Sequence, residues 1–242
     1  MPNVTINPTR DGRISVSSEP LFLGAQGLAS GSFLSVNPSN SSPAFGVSFL
    51  AARGGGTNTA LYRYFMYFNT SAYTTTITNP EIEVYGYGSY SNDEPVIVKA
   101  QNATNGLQAF DGTGARNIEK QDYSRWSTNA SERYYSGTTT FSSGWKAMAL
   151  NDSASVAISE SNAFCICILD APHDYSARQP GVLPTSDLTG FWGGTTGTYQ
   201  IKLNFTSSTS GWTSGKLLGL DPSTIDKIIG VDRTNISEVM GV

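Results

Sequence analysis

The sequence has few charged residues and very few of the residues that bind transition metals. Lys, Arg, Asp and Glu together make up 14% of its 242 residues, whereas soluble domains average about a quarter. It contains two cysteines and one histidine, which are too few for the usual structural zinc site of four such ligands. We therefore expect no metal and no cofactor.

A basic surface and a long apolar segment are also missing. The net charge is -4, and binding to nucleic acids needs clustered Lys and Arg, so a nucleic-acid partner is not expected. Residues 1–6 lack the basic and apolar regions of a signal peptide. No apolar run reaches the roughly 18 residues of a membrane-spanning helix. We expect synthesis in the cytoplasm and no insertion into a membrane.

Alternation of apolar and polar residues is the strongest local pattern in the chain. Residues 81–87 and 199–205 alternate in this way, which is typical of half-buried strands. The side chains expected on their buried faces are Ile82, Val84, Tyr199, Ile201, Leu203 and Phe205. Five more segments rich in β-branched or aromatic residues are also expected to be strands: residues 13–17, 45–51, 95–100, 145–150 and 164–169.

One predicted strand is apolar or aromatic on both faces. Residues 60–68 show this composition, which indicates a central strand covered on each side. Arg63 lies within it and needs a carboxylate or carbonyl partner. Cys165 and Cys167 occupy one face of another apolar strand at a spacing of about 6.5 Å, which does not suit a disulfide. We expect both to be small buried core residues.

These elements predict an all-β fold, an antiparallel β-sandwich or jelly roll with a short helical C-terminal tail. The one helix expected inside the sandwich covers residues 152–162, with Val156, Ala157 and Ile158 as its apolar contacts. The chain divides into three parts: an N-terminal arm or first strands at residues 1–44, the sandwich at residues 45–212 and the tail at residues 213–242.

A long polar segment, residues 101–140, contains several aromatic residues. Flat aromatic side chains can stack on sugar rings at little cost in conformational entropy, and neighbouring Asn129, Glu132 and Arg133 could bind hydroxyl groups. The candidates for glycan binding are Tyr123, Trp126, Tyr134 and Tyr135. The alternative is that these side chains anchor a long loop to the sandwich or fill an interface between subunits.

The tail contains an internal repeat eleven residues long. Residues 225–231 read Ile-Asp-Lys-Ile-Ile-Gly-Val, and residues 236–242 read Ile-Ser-Glu-Val-Met-Gly-Val. A Ser, Thr or Asn stands before each copy and a Gly near its end, so we predict two single helical turns. Such short turns are unstable alone and must dock on something. The candidate contact residues are Ile225, Ile228, Ile229, Ile236, Val239 and Met240.

Two stretches resemble the jelly-roll modules related to family-6 carbohydrate-binding modules. Residues 64–72 read Tyr-Phe-Met-Tyr-Phe-Asn-Thr-Ser-Ala, and residues 76–85 read Thr-Ile-Thr-Asn-Pro-Glu-Ile-Glu-Val-Tyr. The order of the later segments is similar to that of these modules, and phage versions carry tail repeats of the type Ile-x-Lys-Ile-x-Gly-Val. The resemblance covers roughly residues 45–242 and implies a bacteriophage virion protein. Because Asn69 and Pro80 depart from the pattern, no calcium site is carried over.

Acidic residues raise the question of catalysis. The nearest approach to a catalytic or metal cluster is Asp170, His173, Asp174 and Ser176. It lacks the motif of a nucleophile elbow, and we interpret it as a polar turn, with calcium binding by Asp170 and Asp174 as the alternative. Glu81 and Glu83 on one strand face are interpreted as surface charge, not as the acid pair of a glycosidase. We expect no enzyme.

The sequence therefore predicts a non-enzymatic phage virion structural protein, a fibre, decoration or tail-associated component. We expect it to function in the virion as a homo-oligomer that contacts other virion subunits through its jelly roll and terminal segments. The tail could dock on its own sandwich or on another subunit. The alternative function is an adhesin or receptor-binding module that recognises a host surface glycan.

Overall fold

A computed structural model describes eleven stretches of the chain. These are residues 3–19, 34–37, 44–51, 57–86, 94–100, 120–139, 143–176, 187–192, 198–208, 227–228 and 231–232. Most of these residues lie in antiparallel strands, and the part of the chain so described contains one α-helix. The predicted all-β class is confirmed. None of the described helices is long and apolar enough to cross a membrane.

The strands are β1 (Asn3–Ile6), β2 (Arg10–Glu19), β3 (Leu34–Asn37), β4 (Ala44–Ala51), β5 (Thr57–Asn69), β6 (Ile77–Gly86), β7 (Pro95–Lys99), β8 (Arg133–Ser136), β9 (Gly144–Ala149), β10 (Ala163–Asp170), β11 (Asp187–Trp192), β12 (Lys202–Ser207), β13 (Lys227–Ile228) and β14 (Val231–Asp232). The helix is α1 (Asp152–Glu160), and shorter helical turns occur at Lys120–Ser124, Ala130–Glu132 and Ala171–Tyr175.

The strands form two antiparallel sheets that face each other. One sheet, which we call the covered sheet, has the order β3-β2-β5-β10-β7-β8, with β4 paired to the other half of β5. The second, which we call the open sheet, has the order β1-β12-β6-β9. Strand β11 joins them, because it pairs with β4 near its start and with β6 at Phe191 and Trp192. The first strands, β1 and β2, are therefore integral to the sheets.

Strand β5 lies at the centre of the covered sheet, as its composition predicted. β2 pairs along one side of it, while β4 and β10 share the other side. Tyr64 and Met66 are buried between the two sheets, and Leu61 and Phe65 are buried on the opposite face. A strand covered on both faces must be apolar on both, which explains why this segment lacks alternation.

The main core lies between the two sheets. Ile82 and Val84 of β6 and Leu203 of β12 meet Ile166 and Ile168 of β10 there, and all are fully buried. The period-two pattern therefore assigned the inner faces of β6 and β12 correctly. Burial of this aliphatic and aromatic surface is the main stabilising contribution to the sandwich.

Helix α1 covers one part of this core. Asn151 begins it as the N-cap, and its side-chain oxygen accepts a hydrogen bond from the Ala154 amide at 3.2 Å. Ala154 and Ile158 are buried, whereas Val156 is 51% exposed. Residues four apart share a helix face, while residues two apart point in nearly opposite directions. The prediction of Ile158 as a contact is confirmed, and that of Val156 is wrong.

Two other predictions need correction. Tyr199 precedes β12 in a turn and is 39% exposed, because the strand begins only at Lys202. In the tail, Lys227 and Ile228 pair with Val231 and Asp232 as two short antiparallel strands, so the helical turn predicted for the first repeat is wrong. β-branched residues such as Ile228 and Val231 suit a strand at least as well as a helical turn.

The assembly contacts proposed from the tail fall largely outside the described residues. Ile228 is described only as part of β13. The remaining candidates lie outside the described residues: Ile225, Ile229, Ile236, Val239 and Met240.

Candidate functional site

The four aromatic residues predicted to bind a glycan do not form one surface. Tyr123 and Tyr134 are buried, with exposed fractions of 0% and 3%, and burial raises the pKa of both phenol groups. Neither offers a free ring face, so the prediction is wrong for these two. They anchor the polar segment to the sandwich, which was the alternative. Trp126 and Tyr135 are partly exposed, and their role in glycan binding stays a prediction.

The polar groups predicted to assist Trp126 have other partners. Asn129 caps the turn Ala130–Glu132 by accepting a hydrogen bond from the Ser131 amide. Glu132 accepts one from the Lys99 ammonium at 2.8 Å, and the Arg133 guanidinium lies 5.9 Å from the Tyr175 ring centre. All three side chains are therefore engaged with neighbouring groups of the fold.

Buried Arg63 has the partners that its position required. Its Nε and Nη2 donate to the two carboxylate oxygens of Asp174 at 2.8 and 2.6 Å. Its Nη1 donates to the backbone carbonyl of Tyr123 at 2.6 Å. Arg63 was predicted to need a carboxylate or a carbonyl partner, and the structure confirms one of each. The guanidinium also lies over the rings of Tyr123 and Trp126, with Cζ 3.8 and 5.3 Å from their centres.

This ion pair accounts for Asp174, the acidic residue in the turn after β10. Both oxygens of Asp174 accept hydrogen bonds from Arg63, so this carboxylate serves a guanidinium and has little capacity left for a calcium ion. Asp170 is also buried, and the His173 side chain lies outside the described residues. Among the described residues, no three His, Cys, Asp or Glu side chains are grouped to bind a metal ion.

The two cysteines are placed as predicted. Cys165 and Cys167 form no disulfide and are buried on the outer side of the covered sheet, in one apolar cluster. Burial raises the pKa of the Cys167 thiol well above its usual value, so it stays protonated and weakly nucleophilic at neutral pH. We therefore interpret both cysteines as core residues.

A more promising surface is the outer side of the open sheet. Tyr85 of β6, Trp145 of β9 and Tyr199 before β12 lie together there, and we call these three residues with Lys202 the aromatic face. The Tyr85 and Tyr199 rings stack with centres 4.0 Å apart, and the Trp145 ring meets Tyr85 edge-on at 5.5 Å. Trp145 and Tyr199 are nonetheless 38% and 39% exposed. Rings that pack on one another and still face solvent form a rigid apolar platform.

Strand register creates this cluster. Tyr85 pairs directly with Trp145 across β6 and β9, and directly opposed residues share one side of a sheet. Glu83 pairs with Ala147 on the one side and with Lys202 on the other. The small exposed side chain of Ala147 leaves the platform open next to Trp145.

Polar groups continue the aromatic face along the same sheet. The Lys202 ammonium lies 3.7 Å from the Trp145 ring centre and 2.9 Å from a Glu83 carboxylate oxygen. The Asn204 side-chain amide donates to Glu81 at 3.1 Å, and Thr5 donates to the Asn204 oxygen at 2.8 Å. A groove of about 470 Å³ is bordered by polar residues of this row, including Thr5, Glu83 and Asn204, whereas the three rings of the aromatic face do not line it. The carboxylates interpreted as surface charge thus stand beside exposed aromatic rings.

Part of the signal for this surface was present in the sequence. The alternation in β6 put Tyr85 on the outer face with Glu81 and Glu83. Its neighbours Trp145 and Tyr199 are about 60 and 114 positions further along the chain, and only the strand pairing brings them together.

Comparison of the sequence with protein-family models and with curated proteins finds no match.

Proposed function

We propose that the chain is a non-enzymatic virion protein of a bacteriophage and that its aromatic face binds a glycan of the host surface. The phage origin rests on the resemblance of residues 64–72 and 76–85 and of the tail repeat. The binding role rests on one observation, the partly exposed cluster of Tyr85, Trp145 and Tyr199 beside charged and amide side chains.

The chemistry of this surface suits a sugar. A pyranose ring has an apolar face of C–H groups and a rim of hydroxyls, so it needs a flat aromatic surface bordered by hydrogen-bond donors and acceptors. Trp145 and Tyr199 supply the flat surface, while Glu83, Lys202 and Asn204 supply the rim. Because Glu83 and Lys202 already hold each other, the rim is ordered before any ligand arrives, which lowers the entropic cost of binding.

Trp145→Ala is expected to weaken glycan binding by about thirtyfold, the effect of losing roughly 2 kcal/mol at a central aromatic contact. The measurement is the affinity of the purified chain for immobilised bacterial capsular polysaccharides and lipopolysaccharides, using the panel member that the wild type binds most tightly. Circular dichroism checks that the fold is retained.

Trp126→Ala is the matched control, because it removes a partly exposed tryptophan from the other sheet. Affinity should stay within about twofold of the wild type. If Trp126→Ala abolishes binding while Trp145→Ala does not, the glycan site is in the loop. A wild-type chain that binds no polysaccharide of the panel would contradict the binding role.

We also propose an assembly role for the tail, because its repeat places apolar residues where a short segment cannot bury them by itself. The pairing of Lys227–Ile228 with Val231–Asp232 involves only two residues on each side. A hairpin of this size is marginal in water, so further contacts must hold it.

Deleting residues 225–242 is therefore expected to release the protein from phage particles. The measurement is the amount of the chain in purified particles, detected by immunoblot against a major virion protein. Replacing Ile225, Ile228 and Ile229 with Ser should have the same effect. Replacing Asp226 and Lys227 with Ser should leave incorporation unchanged, since the apolar side chains remain. Normal incorporation of the deletion variant would exclude the tail as an anchor.

A further inference from the structure

The outer side of the covered sheet is closed by two segments that are about fifty positions apart in the chain. One begins with the turn Lys120–Ser124 and continues to Trp126, and the other is the turn Ala171–Tyr175. Tyr123, Trp126 and Tyr175 pack there against the apolar cluster that includes Cys167. We call these two segments together the strap.

One side chain of the sheet, Arg63, binds both segments of the strap. Arg63 of β5 binds the carboxylate of Asp174 in one segment and the carbonyl of Tyr123 in the other, each at 2.6 Å for its closest contact. Its guanidinium also contacts the Tyr123 and Trp126 rings. The two segments touch each other through Trp126 and Tyr175, whose ring centres are 5.7 Å apart.

Burial makes these contacts depend on one another. Arg63 and Asp174 are each 1% exposed, and a charge at such a position is tolerated only while it is paired and hydrogen-bonded. If the Ala171–Tyr175 segment lifted alone, the Arg63 guanidinium would lose its counter-charge while still covered by Tyr123. If the segment with Tyr123 and Trp126 lifted alone, the Arg63 guanidinium would lose the carbonyl and the two rings that it contacts. Opening both segments together lets water solvate both charges.

We propose that the strap opens and closes as one cooperative unit governed by Arg63, separately from the rest of the sandwich. Opening uncovers Cys167 and the apolar outer face of β10. Closing buries them again. The rest of the fold has its own core between the sheets, to which Arg63 does not belong, so the open sheet stays folded while the strap moves. Proteins are known to open in cooperative units smaller than the whole fold.

Hydrogen exchange of the full chain, followed by mass spectrometry, tests the proposal. In Arg63→Lys, the ammonium keeps a positive charge but cannot form the two-pronged contact and the carbonyl contact together. Amides at residues 121–127 and 171–176 should both exchange faster, by the same factor of about ten or more. Amides of β12 in the open sheet should exchange at the wild-type rate.

Thiol labelling provides a second readout in a Cys165→Ser background. Cys167 should react with a maleimide faster in Arg63→Lys by the factor seen in hydrogen exchange, because both measure the same opening. Trp126→Leu is a milder variant at a partly exposed position and guards against a folding defect in Arg63→Lys. This variant should also accelerate exchange at residues 171–176, although the substituted residue lies in the other segment of the strap. Trp145→Leu, on the open sheet, should change neither segment.

Two results would overturn the proposal. Faster exchange in only one of the two segments would show that they open independently. Equal acceleration in β12 would show that the strap opens only when the whole fold does.

Discussion

Asp174→Ala is expected to lower the free energy of unfolding by about 3 to 5 kcal/mol, the cost of leaving a buried charge without its partner. Asp174 accepts two hydrogen bonds from Arg63 in a site where both side chains are almost fully buried. With the carboxylate removed, the guanidinium loses its counter-charge and both of these hydrogen bonds, while the Tyr123 carbonyl and the two ring faces remain beside it. Urea denaturation at neutral pH, followed by tryptophan fluorescence, measures the change.

A surface ion pair of the same chemistry is the matched control. Glu83 and Lys202 are 2.9 Å apart but 23% and 31% exposed, so Glu83→Ala should cost less than about 1 kcal/mol. In Arg63→Met/Asp174→Leu both charges are absent, and much of the loss in Asp174→Ala should be recovered. Equal costs for Asp174→Ala and Glu83→Ala would show that burial of the pair is unimportant.

Asp11→Asn is expected to stabilise the fold at neutral pH and to have little effect in acid. Asp11 is buried at 4% exposure, beside the hydroxyl of Tyr64, which donates a hydrogen bond to it. Burial raises the pKa of Asp11 from 3.8 to about 6, although the Tyr64 hydrogen bond opposes this shift. The folded protein therefore holds this proton more tightly than the unfolded chain does.

The direction of the pH dependence follows from this difference. Well below pH 3.8 the carboxyl is protonated in both states and the full stabilising contribution is present. As the pH rises to about 6 the folded state must give up its proton, and roughly 3 kcal/mol of stability is lost at 1.36 kcal/mol for each pKa unit. Asparagine carries no proton to lose. The free energy of unfolding of Asp11→Asn should therefore exceed that of the wild type by up to about 3 kcal/mol at pH 7.5 and equal it near pH 3.5.

Tyr64→Phe separates the two influences on Asp11. Loss of the hydroxyl removes a hydrogen bond that favours the carboxylate, so the stability of this variant should fall more steeply between pH 4 and pH 7 than that of the wild type. Urea denaturation at a series of pH values gives both comparisons. A constant difference between Asp11→Asn and the wild type across this range would contradict the assignment.

The two sheets of the sandwich differ in what they leave accessible. The covered sheet has a buried apolar cluster on each face, and the strap closes its outer side. The open sheet presents Trp145, Tyr199 and a row of polar side chains to solvent. The open sheet offers an ordered exposed surface for a ligand. We therefore propose glycan binding there and not in the polar segment 101–140.

Sequence patterns alone predicted eight of the fourteen described strands and much of the core. Alternation with a period of two reflects which face of a strand is buried, so Ile82, Val84 and Leu203 could be assigned without a structure. The absence of alternation in β5 likewise indicated a strand covered on both sides. The need of Arg63 for a partner also followed from local reasoning, because a guanidinium in an apolar strand cannot remain unpaired.

Contacts between residues far apart in the chain could not be predicted from local patterns. Asp174 lies 111 positions from Arg63, and Tyr199 lies 114 positions from the Tyr85 on which it stacks. No local sequence pattern indicates either contact, because strand register and loop packing depend on contacts across the whole fold. The same limit applies to burial outside regular strands. Tyr123 and Trp126 are three positions apart in one polar segment, yet the fold buries the first and leaves the second partly exposed.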